Sequence, residues 1–104
     1  MNQVQKVLNG NKVVNMAKVS AILTNVETAT KKRFDASCEL AGYVSKAAEW
    51  YKTADAKETL KNSGIDLKID AFFMEAFGFQ KSYAYKLIRL HAAAEHLPTF
   101  NAAD

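Results

Sequence analysis

The 104-residue chain predicts an all-α fold: a long central helix or helix pair packing a carboxy-proximal pair of closely linked helices. Three observations carry this. Glycine and proline are scarce, with Gly10, Gly42, Gly64, Gly78 and Pro98 the only punctuation, and good helix formers fill the stretches between. Apolar residues recur at spacings of three and four through Ile22, Val26, Ala29, Ala36, Leu40, Tyr43, Ala47, Trp50 and Ala54, which is the period of a helix face. With 49% hydrophobic and 24% charged residues, the composition is that of a globular protein and not of a disordered tail or a disulfide scaffold. A chain of this length has room for one domain, whose modest core dimerisation would extend.

The elements follow in order. Residues 1–19 read as a basic amino-terminal arm, short and either irregular or helical, in which Asn9, Gly10 and Asn11 could close a hairpin but the flanks share no apolar face. Residues 20–97 form the helical domain. Up to about Lys61 it has no proline, and a second row through Phe34, Ser37, Ala41, Val44, Ala48 and Tyr51 widens the apolar face. Core helix is the preferred reading, with Trp50 and Tyr51 in the core rather than stacked on bases. The small residues Ala36, Ala41, Ala47 and Ala48 also suit a helix paired with its twin in a homodimer. The bases around Thr30 to Asp35 interrupt the row, and a break there would make one long helix into two; both alternatives stay open. Asn62, Ser63 and Gly64 end the region with a glycine suited to the left-handed conformation. Asp66 or Asp70 caps a short helix that buries Phe72, Phe73, Ala76 and Phe77 and stops at Gly78. Residues 98–104, from Pro98 onward, read as a frayed tail.

Several function classes lack a starting residue. There is no glycine-rich phosphate loop, paired-cysteine metal pattern or nucleophile elbow, so neither enzyme activity nor a cofactor is expected. His91 and Glu95 offer two side chains four apart but no third ligand, and His96 lies about 140° around the helix from His91, so no metal is expected. The lone Cys38 cannot close an internal disulfide and reads as a structural thiol in a reducing compartment. No apolar run in residues 1–15 is long enough for an export signal, and nowhere do 18 consecutive apolar residues occur. A cytoplasmic protein with no membrane partner is the expectation.

Charge placement points to a polyanionic partner. Residues 1–33 hold six bases, among them Lys6, Lys12 and Lys18, against Glu27 alone, a net +5, whereas residues 34–64 and 65–104 are each −1. From Gly78 to His91 the chain carries Lys81, Lys86 and Arg89 with no acid.

That segment carries the function. After Gly78 a new helix begins within about three residues, and two helices joined by a tight glycine-containing turn are the signature of a helix-turn-helix. At 100° per residue Lys81, Ser82, Tyr85, Lys86 and Arg89 fall within about 140° of arc, while Tyr83, Ala84, Leu87, Ile88, Leu90, His91 and Ala94 occupy the other side. A recognition helix in a DNA major groove needs this division: an apolar back held by its neighbour, and a front offering donors to phosphates and base edges. The run from Phe73 to Ile88 resembles the helix-turn-helix core of bacterial, plasmid and phage DNA-binding proteins. Gly78, Phe79, Lys81, Ser82, Tyr85, Lys86, Leu87 and Ile88 fit that pattern. Gln80 replaces the usual serine cap, Tyr83 a small polar residue, Ala84 a branched one, and Met74 a small alanine.

The resemblance spans residues 34–97, with the helix-turn-helix over 70–96, and implies a small transcriptional regulator of phage or plasmid type that binds double-stranded DNA, acting as a homodimer. Gln80, Lys81, Ser82 and Tyr85 would approach base edges, with Lys86 and Arg89 on phosphates or guanine, and the basic arm would add backbone contacts. Tyr83 sits at the border of the two faces. The alternative is a helical adaptor or inhibitor that docks on a protein of a host or competing machine through Tyr83, Tyr85 and Arg89, residue types that interface hot spots favour.

Overall fold

The computed structural model describes residues 2–28, 33–66 and 68–96, which form six helices and no strand. They are α1 (Gln3–Gly10), α2 (Met16–Thr28), α3 (Arg33–Tyr51), α4 (Ala54–Asn62), α5 (Ile69–Phe77) and α6 (Lys81–His96). None is long and apolar enough to cross a membrane. The tail 98–104 and the side chains of Lys31, Lys32, Arg33, Glu95 and His96 lie outside the described residues.

The amino-terminal segment is a folded helix. The Asn2 side chain accepts from the Gln5 backbone N–H at 2.9 Å and the Gln5 side chain accepts in return from the Asn2 N–H at 3.3 Å, a reciprocal cap. Val4 and Leu8, four apart, are buried. Asn9, Gly10 and Asn11 close no hairpin. They end α1, where Lys12 takes φ 57 and its N–H meets Asn9 O at 3.1 Å while Val13 N–H reaches Leu8 O at 3.1 Å. This is the left-handed helix stop that glycine usually occupies. Val13 and Val14 then bury, and the Asn15 side chain accepts from Lys18 N–H to start α2.

The described span of α2 ends at Thr28 and that of α3 begins at Arg33, and the stretch between them, where the sequence suggests a break, lies outside the described residues. A break that the periodicity does not show falls at Thr53. Its hydroxyl donates to Trp50 O at 2.7 Å and accepts from Ala56 N–H at 3.1 Å, ending α3 and capping α4 with one side chain. The apolar stripe hides this break because Ala54 continues its spacing, yet Ala54 is exposed. α4 ends as expected. Gly64 has φ 74, Gly64 N–H reaches Lys61 O at 3.0 Å, Ile65 N–H reaches Leu60 O at 2.8 Å, and Leu60 and Ile65 are both buried.

The core sits around α3. Leu40, Ala41, Val44 and Ala47 are fully inaccessible and Ala36 and Ala48 nearly so, with α2 and α6 making the most extensive contacts to this helix. The small residues that would suit a twin helix are therefore consumed inside the chain. α5 contributes Phe72, Phe73, Ala76 and Phe77, all buried. Neither Asp66 nor Asp70 caps it: the cap position is Lys68, whose side chain makes no capping bond, and Asp70 lies in the first turn accepting from Ala71 N–H at 3.0 Å. A carboxylate there still favours the helix by facing the positive end of its dipole.

Side-chain amides from α1 close the far ends of α4 and α5. Gln3 Nε2 donates to Ser63 O, Asn2 Nδ2 to Glu75 O, and Gln5 Nε2 to Ala76 O at 3.2 Å. Together with Gly78 N–H on Met74 O at 2.8 Å, three of the last four carbonyls of α5 acquire donors that the helix itself cannot supply. α1 thus fixes the end of α5 just before the turn to α6.

Candidate nucleic-acid interface

Three residues, Gly78 to Gln80, join α5 to α6. Gly78 takes φ 76, with nothing within 4 Å of where a Cβ would stand, so the backbone conformation alone selects glycine. Gln80 contributes its carbonyl, which accepts from Ala84 N–H at 3.1 Å. Phe79 stacks on Phe77 at 6.0 Å between ring centroids, and Tyr83 meets Phe79 edge-on at 4.8 Å. This row of rings ties the turn to both helices.

Burial divides most of α6 as its sequence does, except that Tyr85 of the expected front is half-buried and Tyr83 of the expected back is exposed. Ala84 and Leu87 are buried and Ile88, Leu90 and His91 half-buried, whereas Lys81, Ser82, Lys86 and Arg89 are exposed. The back of the helix lies mainly along α3 and less extensively against α5. His91 packs there: its ring would stand 3.7 Å from a Cβ at Gly42, an ordinary van der Waals separation. No group of three His, Cys, Asp or Glu side chains among the described residues could hold a metal ion. Cys38 is half-buried on α3.

An open groove of about 750 Å³ runs between α5 and the start of α6. Gln80, Lys81, Ser82, Tyr85 and Arg89 line one wall, and Asp70, Ala71 and Met74 of α5 line the other. Five of the six residues expected to touch DNA therefore share one surface, and Lys86 is exposed on α6 outside that lining. Tyr85 is held at the floor by an edge contact to the buried Phe73, 5.8 Å between centroids at 83°. Lys6 on α1, Lys12 in the following turn and Lys18 on α2 are exposed, and none lines the groove.

The α5 wall was not legible as part of the site. Asp70 carries the only carboxylate lining the groove, and Met74, at 46% exposure, is one of two large apolar residues left in water among those described, the other being Tyr83 at 37%. Their signal in the sequence is faint: Met74 stands where the resembled pattern has alanine, and Asp70 lies one turn before it on the same face.

No protein-family model matches the chain, and neither curated proteins nor solved structures contain a match to it.

Proposed function

We propose that this protein binds double-stranded DNA as a helix-turn-helix regulator of the kind phages and plasmids encode, with α6 entering the major groove and α5 supporting it. The observation that carries the reading is the exposed donor-bearing face of α6: Lys81, Ser82 and Arg89 in one groove with Gln80 and Tyr85, and Lys86 exposed beside them, over a buried Ala84 and Leu87. Gln80, Lys81, Ser82 and Tyr85 read base edges, and Lys86 and Arg89 hold phosphates or guanine. Two phosphate-facing cations per chain, Lys86 and Arg89, imply a modest salt slope of about −1.8 in log affinity against log salt, which two copies on adjacent half-sites would double. A homodimer supplies that. A single cysteine, Cys38, which can close no internal disulfide, supports work in a reducing compartment such as the cytoplasm.

Anisotropy of a labelled random-sequence duplex at two salt concentrations, with the mass of the protein by light scattering, tests this. Salt-sensitive binding by a dimer that Lys86→Ala with Arg89→Ala abolishes, at unchanged helix content, is the expected result; affinity unchanged in the double variant refutes it. A second reading draws on exposed Met74 and Tyr83, which suit docking on a protein partner. That contact would persist as salt rises.

A further inference from the structure

A second cavity, about 570 Å³, opens where the end of α3, α4 and the loop after it meet, and no residue of the proposed DNA site lines it. Its volume is within the range of small-molecule sites. The floor is apolar and fixed. Leu60 and Ile65 are buried and locked to each other's backbone by the 2.8 Å bond that ends α4, and Tyr51 is half-buried with its ring 4.7 Å from the fully buried Phe72. The rim is charged. Lys57 and Lys61, one turn apart on α4, stand on it as exposed ammonium groups, and Asp66 closes the opposite end of the sequence stretch. Burial, and then the charges of Asp66 and Asp70, raise the Tyr51 phenol above its ordinary 10.0, so at neutral pH it is a neutral O–H donor.

An apolar floor beside two ammonium groups and one carboxylate has a net charge of +1 and complements a monoanion with an apolar body. We infer that this cavity binds a small amphipathic carboxylate, its ring or chain against Leu60, Ile65 and Tyr51 and its carboxylate between Lys57 and Lys61. The paired lysines supply charge-assisted hydrogen bonds, and the apolar contact supplies the area that a bare carboxylate lacks. Asp66 rejects dianions. A bare anion such as acetate, or an apolar alcohol, satisfies only half of the lining.

Isothermal titration of the full chain with 3-phenylpropionate, 3-phenylpropanol and acetate tests the assignment. Saturable one-to-one binding of 3-phenylpropionate is expected, about tenfold or more weaker for the alcohol and for acetate. Lys57→Gln with Lys61→Gln, both exposed, should keep the fold and lose the preference for carboxylate over alcohol. Three results overturn the inference: no saturation with 3-phenylpropionate, equal affinity for the uncharged alcohol in the wild-type protein, or a preference that survives in the double-lysine variant. The alcohol comparison needs no variant, so it stands even if the lysine substitutions disturb folding.

Discussion

Leu8→Ala separates a detached basic arm from a structural helix. Leu8 has no accessible surface and sits on α1 one turn after buried Val4. The substitution removes three carbon atoms, worth about 2.4 kcal/mol at roughly 0.8 per methylene, and a partly unrelaxed cavity brings the loss to about 3 kcal/mol. A domain of this size holds about 5–15 kcal/mol in total, so the change consumes a large share of it. Urea unfolding followed by circular dichroism reads this directly: at a slope of about 2 kcal/mol/M, the midpoint falls by about 1.5 M with the slope unchanged. Lys6→Ala, exposed on the same helix, serves as the control and moves stability by less than about 0.5 kcal/mol. A midpoint shift below about 0.3 M for Leu8→Ala would refute the packing of α1 and, with it, the account of how the end of α5 is held.

Lys12→Gly relieves a side chain at φ 57 and should raise stability by about 0.5–1 kcal/mol in the same assay, the left-handed strain outweighing the added freedom of the unfolded chain; a loss would show that Lys12 makes a compensating contact. The Tyr51 phenol has a raised value in the folded protein, so the stabilisation linked to it is whole below its unfolded value of 10.0 and is lost as pH rises through the folded one. Tyr51→Phe should flatten that alkaline decline, and Asp66→Asn should lower the pH at which one tyrosine ionises by ultraviolet absorbance; a titration indifferent to Asp66 would argue against its charge reaching the phenol. Asp70→Asn keeps an acceptor for Ala71 N–H but removes the negative charge from the groove, so random-duplex affinity should rise about fivefold at low salt. Unchanged affinity there, with binding still lost in Lys86→Ala with Arg89→Ala, would place the phosphate path away from Asp70.

What the sequence discloses depends on how local its cause is. Gly64 and Gly78 are readable because a left-handed stop after a helix is chemistry of a few residues, and Phe72, Phe73, Ala76 and Phe77 are readable because a short run rich in aromatics has to be buried somewhere. Lys12 performs the same backbone task as Gly64 with no glycine to announce it, so the sequence leaves open whether residues 1–19 are helical or irregular and does not mark where α1 stops. Thr53 was hidden by a stripe that stays in register across the break. Least readable were Asn2 and Gln5, whose amides meet carbonyls 73 and 71 residues away, since nothing in a polar side chain at the start of a chain specifies which distant helix end it will close.

The candidate site divides along the same line. The exposed face of α6 follows from a 3.6-residue period and is legible from Lys81 to Arg89. A face is not a groove, however, and its opposite wall depends on how α5 crosses α6, which is set by the left-handed Gly78, by the Phe77–Phe79–Tyr83 ring contacts and by α1 holding Glu75 and Ala76 from behind. Only that crossing brings Asp70 and Met74 opposite Lys81 and Arg89. An all-cationic groove would hold any polyanion; a carboxylate facing those bases penalises phosphate and favours groups that can donate to it, such as the exocyclic amine of cytosine. On the proposed DNA-binding reading, Asp70, one of two residues that the sequence offers as a helix cap, is thus the one in the groove best suited to discriminate among duplexes.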